Sequence, residues 1–191
     1  MTTTTTTTTT TITNAEQYRI LSLRTANAAN YSVQHNRDHA AIGMITELGE
    51  FATEVKRMFA YGKAMTPEMF DHLCEEAGDF AWYVALAISA EIPAGIWHGG
   101  VDLITNDRAG SQLDQLRFAV RRAAIAVGSY HSHPCTANAY ACGDAFLFLC
   151  DALEVAPAVI MGQNVDKLLK RFPIGTTDIA AAAEARADKG G

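Results

Sequence analysis

Four acidic residues in two short motifs carry the clearest chemistry in this chain. Glu47-Leu48-Gly49-Glu50 and Glu76-Ala77-Gly78-Asp79 each set two carboxylates three residues apart. On a helix that spacing puts both on one face. Twenty-five residues lie between Glu50 and Glu76, enough for a helix end, a short loop and a return. Two antiparallel helices would then turn four carboxylates toward one point. Such a cluster repels itself and is costly to desolvate without cations. Hard oxygen ligands with room for water suit Mg²⁺, with Mn²⁺ able to substitute. Two such ions can polarise a phosphoryl group and activate a water. A single ExxE pair reads better as a solvated helix face; ExxE together with ExxD at hairpin spacing favours the ligand reading. Gly49, Ala77 and Gly78 inside the motifs would let backbones or a substrate approach closely.

A second element lies near the C-terminus. Asn164, Lys167 and Arg171 fall at i, i+3 and i+7, on one helical face beside an apolar face of Val165, Leu168, Leu169 and Phe172. Lysine and arginine there could grip phosphate oxygens, arginine in bidentate fashion. By itself this is an ordinary amphipathic helix. Other residues carry weaker signals. Tyr83 shares the face of Glu76 and Asp79 and is a candidate substrate contact, whereas Trp82 suits the core. Glu75 is an alternative or supporting acid, and Glu76 is preferred because it parallels Glu47 and Glu50. His131-Ser-His133-Pro-Cys135 has no standard zinc spacing and reads as loop. His35 and His39 could pair across a helix start. Arg117 and Arg121, four apart, read as a solvated face.

The elements that must position these groups are helical throughout. Apolar residues recur at helical period and no segment alternates for long, so the fold class is all-α, a helical bundle. A first helix is expected from about Ala15 to Ala28. A second runs from about Asp38, as N-cap, to Phe59 with stripe Met44, Leu48, Phe51, Val55 and Met58, and Gly62 ends it. Thr66 and Pro67 open a third, which reads on to about Ala90. Residues 93–110 read as loop. Ser111 and Asp114 form a capping box for a helix that Gly128 closes. Residues 129–136 read as loop again. Helices then follow at about Ala137–Leu153 and Pro157–Arg171, with a short one at Asp178–Ala187. The threonine run at residues 2–11 has no apolar period, so residues 1–13 are expected to be a disordered tail and 14–191 a single domain.

The bulk chemistry narrows the partners. The chain has 191 residues and a net charge of -6 with no basic run, which argues against nucleic acid. The apolar stretch from Phe80 to Ala90, closed by Asp79 and Glu91, is too short for a membrane. No signal peptide shows, so a cytoplasmic setting is expected. Cys74, Cys135, Cys142 and Cys150 form no CxxC pair and read as free thiols.

With both elements in place, the chain resembles the MazG-like all-α nucleoside triphosphate pyrophosphohydrolases, especially their phage-type branch. The matching stretches are His39 to Glu50, then Lys56 and Tyr61-Gly62-Lys63, then Glu75 to Tyr83, and Asn164 to Pro173. Tyr18, Arg24 and Thr25 fit more weakly. The resemblance implies that Glu47, Glu50, Glu76 and Asp79 bind Mg²⁺, and that Lys63, Asn164, Lys167 and Arg171 contact the nucleotide. It implies water attack at the α-phosphorus with release of pyrophosphate, and Glu47 as the group taking the water's proton. Relatives assemble as dimers or tetramers, and some phage-type members prefer dGTP, so both are carried as expectations. One departure stands out: residues 93–140 read as an insertion with an extra helix, which displaces the last motif down the chain. The alternatives from other classes are a non-catalytic bundle, whose acidic faces only keep it soluble, and a di-iron carboxylate bundle. The latter favours Glu-x-x-His, where this chain has Asp79.

Overall fold

The structure, a computed structural model, describes residues 9–26, 31–92, 97 and 110–172. Six helices account for most of them and no strand occurs among them, so the fold is all-α. They are α1 (Ala15–Leu23), α2 (Val33–Tyr61), α3 (Pro67–Glu91), α4 (Gln112–Ser132), α5 (Thr136–Leu153) and α6 (Pro157–Arg171).

Local chemistry sets the boundaries. Asn14 caps α1 by accepting from Gln17 N–H, and Thr66 caps α3 by accepting from Met69 N–H, with Pro67 in its first turn. Gly62 ends α2 at φ 63, the left-handed region in which a Cβ is disfavoured. The Ser111–Asp114 capping box opens α4. Three ends differ from expectation. Helix α2 begins at Val33, because Ser32 provides the cap through His35 N–H, and Asp38 sits inside the helix accepting from Gln34 at 2.8 Å. Helix α1 stops at Leu23, where the Thr25 hydroxyl donates to Ser22 O at 2.8 Å. Helix α4 continues through Gly128 to Ser132. Burial of Val127 and Tyr130 offsets the glycine's helix cost of ~1 kcal/mol, and the helix stops just before Pro134, which disfavours helical backbone at His133. The expected helix at Asp178–Ala187 and most of the expected 93–110 loop lie outside the described residues.

Helix α3 runs through the middle. It is buried almost all round, from Leu73 through Phe80 and Leu86 to Ala90, as expected of a helix with apolar residues on every face. The α2–α3 hairpin packs beside the α4–α5 hairpin, and α1 and α6 close over α3. Phe51, Phe80 and Phe146 fill the centre, and truncating any of them to alanine would cost roughly 3–5 kcal/mol. Helix α4, read from the sequence as an insertion, is packed against both α2 and α5 and completes the bundle. Arg117 lies over the Phe59 ring at 4.1 Å and pairs with Asp114 at 3.2 Å, while Arg121 is exposed. Between α5 and α6 the chain bends by 102° at Glu154, a non-glycine residue at φ 59.

The packed chain starts earlier than residue 14. Thr10 N–H donates to Asp166 Oδ2 at 3.0 Å and its hydroxyl also bonds Asp166. Ile12 is buried in the core. Gly162 makes room for this segment, since a Cβ there would lie 2.3 Å from Thr10 O. All four cysteines are free thiols. Among the described residues no single helix is long and apolar enough to cross a membrane.

Candidate metal centre

The α2–α3 hairpin brings the acidic motifs together. Glu47, Glu76 and Asp79 each offer a carboxylate oxygen, and these atoms all lie within 4.8 Å of one another. Glu50, His72 and Glu76 form a second group by the same measure. Glu76 therefore belongs to both. It is buried, Glu47 and Asp79 are half-buried, and Glu50 is exposed. Burial pushes the Glu76 carboxyl up to about 8, helped by a proton shared with Glu47 and by the charges of Glu50, Asp79 and Glu47. Its Oε2 is buried with no hydrogen-bond donor among the described residues. A buried acid short of donors, beside three further carboxylates, is a poor resting place for negative charge and a good one for a cation. The donor set thus fits hard divalent ions, and an imidazole at one edge widens the choice.

Helix α6 supplies the other side. Lys167 Nζ donates to both oxygens of Asp79 at 2.5 Å and to Glu75 Oε1 at 3.1 Å. Asn164 Nδ2 donates to Asp79 Oδ1 at 2.8 Å. The amide can come so close because residue 78 is glycine: a Cβ there would meet Asn164 Cβ at 3.1 Å. A cleft of about 420 Å³ opens between α3 and α6, lined by Phe70, Cys74, Glu75, Val159, Gln163 and Lys167, among others. Clefts of this size hold small organic ligands.

Of the residues singled out from the sequence, Glu47, Glu50, Glu76 and Asp79 converge, and Asn164 and Lys167 join them despite the intervening helix α4. Lys63 and Arg171 are exposed, one just past the Gly62 cap and the other at the end of α6, and neither enters the ion pairs that bind the centre together. The Tyr83 ring rests on Gly43, one turn before Glu47, where a Cβ would lie 2.1 Å from Tyr83 Cε1. It sits edge-on to His39 and Trp82. Trp82 is in the core and donates to Ser22 O at 3.1 Å. Glu75 faces Lys167. His35 and His39 both lie on α2, with His35 stacked on Tyr31. His131 lies on α4 and His133 is its C-cap, so the segment expected as loop is partly helical. Gly49 has nothing within 4 Å of its missing Cβ among the described residues, so no close approach to them requires the glycine.

Sequence reasoning missed His72 and Glu54. His72 Nε2 is 2.9 Å from Glu76 Oε1, and its Nδ1 is 3.4 Å from the buried Glu54 Oε1. The signal was present: His72 precedes Glu76 by four residues and Glu54 follows Glu50 by four, which keeps each on the motif's face.

No protein-family model, curated protein or solved structure matches this chain.

Proposed function

We propose that this chain hydrolyses nucleoside triphosphates to monophosphate and pyrophosphate, in the manner of the MazG-like enzymes it resembles, with Mg²⁺ or Mn²⁺ held by Glu47, Glu50, Glu76 and Asp79. The observation that carries the reading is the meeting of α6 with the acidic hairpin. Lys167 and Asn164 donate to Asp79 and also line the 420 Å³ cleft. A triphosphate needs divalent ions and a protein cation side by side, with room for a nucleoside next to them.

Glu47, Glu50, Glu76 and Asp79 would hold divalent ions, which would supply charge neutralisation of the triphosphate and acidify water. Glu47 takes the proton of the attacking water. A new bond forms from that oxygen to the α-phosphorus, the bond to the bridging oxygen of the β-phosphate breaks, and pyrophosphate leaves. Lys167 turns from Asp79 to the phosphates, and Arg171 and Lys63 bind them from the rim. Tyr83 buttresses α2 behind Glu47. The sugar and base enter the cleft, with dGTP the preferred substrate by resemblance. The same reading puts the protein in the cytoplasm, where nucleotide pools lie, and extends to a homo-oligomer of two or four copies. Ile42 and Ile45, exposed one turn apart on α2, support that assembly.

Incubation with the eight common ribo- and deoxynucleoside triphosphates and Mg²⁺ tests the proposal, read as monophosphate and pyrophosphate. A folded protein that produces neither from any of them rejects it.

A di-iron carboxylate bundle is the second reading, favoured by the imidazole of His72 beside Glu76. Those sites take a Glu-x-x-His pair from each of two helices, and here one imidazole joins the acids. Iron retained through purification in place of Mg²⁺ or Mn²⁺ would favour it.

A further inference from the structure

Glu54 lies outside both acidic motifs, yet it is 5% exposed. Its Oε1 accepts from Arg57 at 2.7 Å and faces His72 Nδ1 at 3.4 Å. The opposite ring nitrogen, Nε2, faces Glu76, in the group it forms with Glu50. An imidazole with a carboxylate behind one nitrogen and open carboxylates before the other is the arrangement that orients histidine as a metal ligand. Ligation at Nε2 needs the ring proton on Nδ1, the nitrogen that lies 3.4 Å from Glu54 Oε1. Independently, the second oxygen of Glu76 is buried and has no hydrogen-bond partner among the described residues.

We infer that His72 Nε2 is itself a metal ligand, forming with Glu50 and Glu76 a mixed nitrogen–oxygen site that shares Glu76 with the all-oxygen site of Glu47 and Asp79. This deepens the metal-dependent reading above and rests on the same centre. The two sites differ in taste. Oxygen ligands alone suit Mg²⁺, whereas an imidazole draws Mn²⁺, Fe²⁺, Co²⁺ or Zn²⁺. Glu54 is a positioning residue, acting on the ion only through His72. Two divalent ions would match the charge of the four carboxylates, and Lys167 would then be free to leave Asp79.

The test uses the full chain, stripped with EDTA and reloaded with Mn²⁺, and reads nitrogen hyperfine coupling by pulsed electron paramagnetic resonance. Coupling from a directly ligated imidazole is expected, changing its isotope pattern when the chain carries ¹⁵N-histidine. His72→Gln should abolish it and weaken Mn²⁺ binding at least about tenfold, with Mg²⁺ binding to the other site little altered. Glu54→Gln should keep the coupling and weaken Mn²⁺ binding less. Mn²⁺-loaded protein without nitrogen coupling overturns the inference, as does coupling that survives in His72→Gln; the isotope readout needs no variant to fold. Coupling without hydrolysis of any nucleotide keeps the inference and rejects the proposed function. Hydrolysis without coupling does the reverse.

Discussion

The hydroxyl of Tyr18 donates a 2.9 Å hydrogen bond to Asn164 Oδ1, and that bond decides what Asn164 offers the acidic centre. With its oxygen engaged, the amide must present Nδ2 to Asp79, where it donates at 2.8 Å. Tyr18 is fully buried, and its pKa is held well above the ordinary 10, first by burial and then by the charge of Asp79. It therefore stays a neutral donor, and α1 sets the polarity of a side chain on α6.

Replacing Tyr18 with phenylalanine should remove that control. The buried oxygen of Asn164 loses its donor, so stability should fall by about 1–3 kcal/mol. Urea denaturation measures the loss. Hydrolysis should drop with it, because Asn164 then loses the bond that anchors it from α1 while it donates to Asp79. Wild-type stability and turnover together would sink the relay.

The Glu76 carboxyl gives the stability a pH dependence with an unusual sign. Its ordinary value is 4.5 and the fold raises it to about 8. Between those values the folded chain holds a proton that the unfolded chain has released, so stability falls as pH rises from about 4.5 to about 8. In EDTA the urea midpoint should be higher at pH 5.5 than at pH 8.5, and Glu76→Gln should flatten the difference. Added Mg²⁺ should raise the melting temperature more at pH 8.5, where it no longer competes with that proton. A wild-type midpoint that rises with pH in EDTA contradicts the assignment.

Lys167 pairs with Asp79 and Glu75. Lys167→Met removes a positive charge from a centre proposed to hold divalent ions. Mg²⁺ affinity should therefore rise, by a few-fold, while KM for the triphosphate also rises and kcat falls. Calorimetry and steady-state kinetics separate the two effects. Weaker Mg²⁺ binding in the variant would mean that Lys167 only shapes the acids.

Two glycines of α2 should respond in opposite ways. Gly43→Val forces a side chain into the Tyr83 ring and should cost about 1–3 kcal/mol. Gly49→Ala meets nothing within 4 Å and should stabilise the helix by about 0.5–1 kcal/mol. Thermal melts of both settle the stability side. If turnover falls in a stabilised Gly49→Ala, the open space at that glycine belongs to substrate.

Much of this was legible because helical period and capping chemistry are local. The ExxE and ExxD spacing put Glu47, Glu50, Glu76 and Asp79 on facing stripes, and Thr66–Pro67, Gly62 and Ser111–Asp114 marked helix ends. What failed depended on competition between local signals. Ser32 outcompeted Asp38 as a cap, and flanking burial carried α4 past Gly128. What was missed depended on tertiary packing. His72 and Glu54 matter only through each other and Glu76, and no single-helix pattern ranks such a pair above a solvated face. Likewise, threonine composition hid the fact that Thr10 bonds Asp166 and Ile12 reaches the core.

That last contact ties distant stretches of sequence into one lever. Gly162 and Asp166 receive the segment around Thr10, while Asn164 and Lys167, interleaved with them on the same turns of α6, serve the acids. A fusion partner or clipping that displaces residues 9–13 would thus pull on the helix that grips Asp79. On the proposed function, such damage would register as lost affinity for the triphosphate before it registered as unfolding.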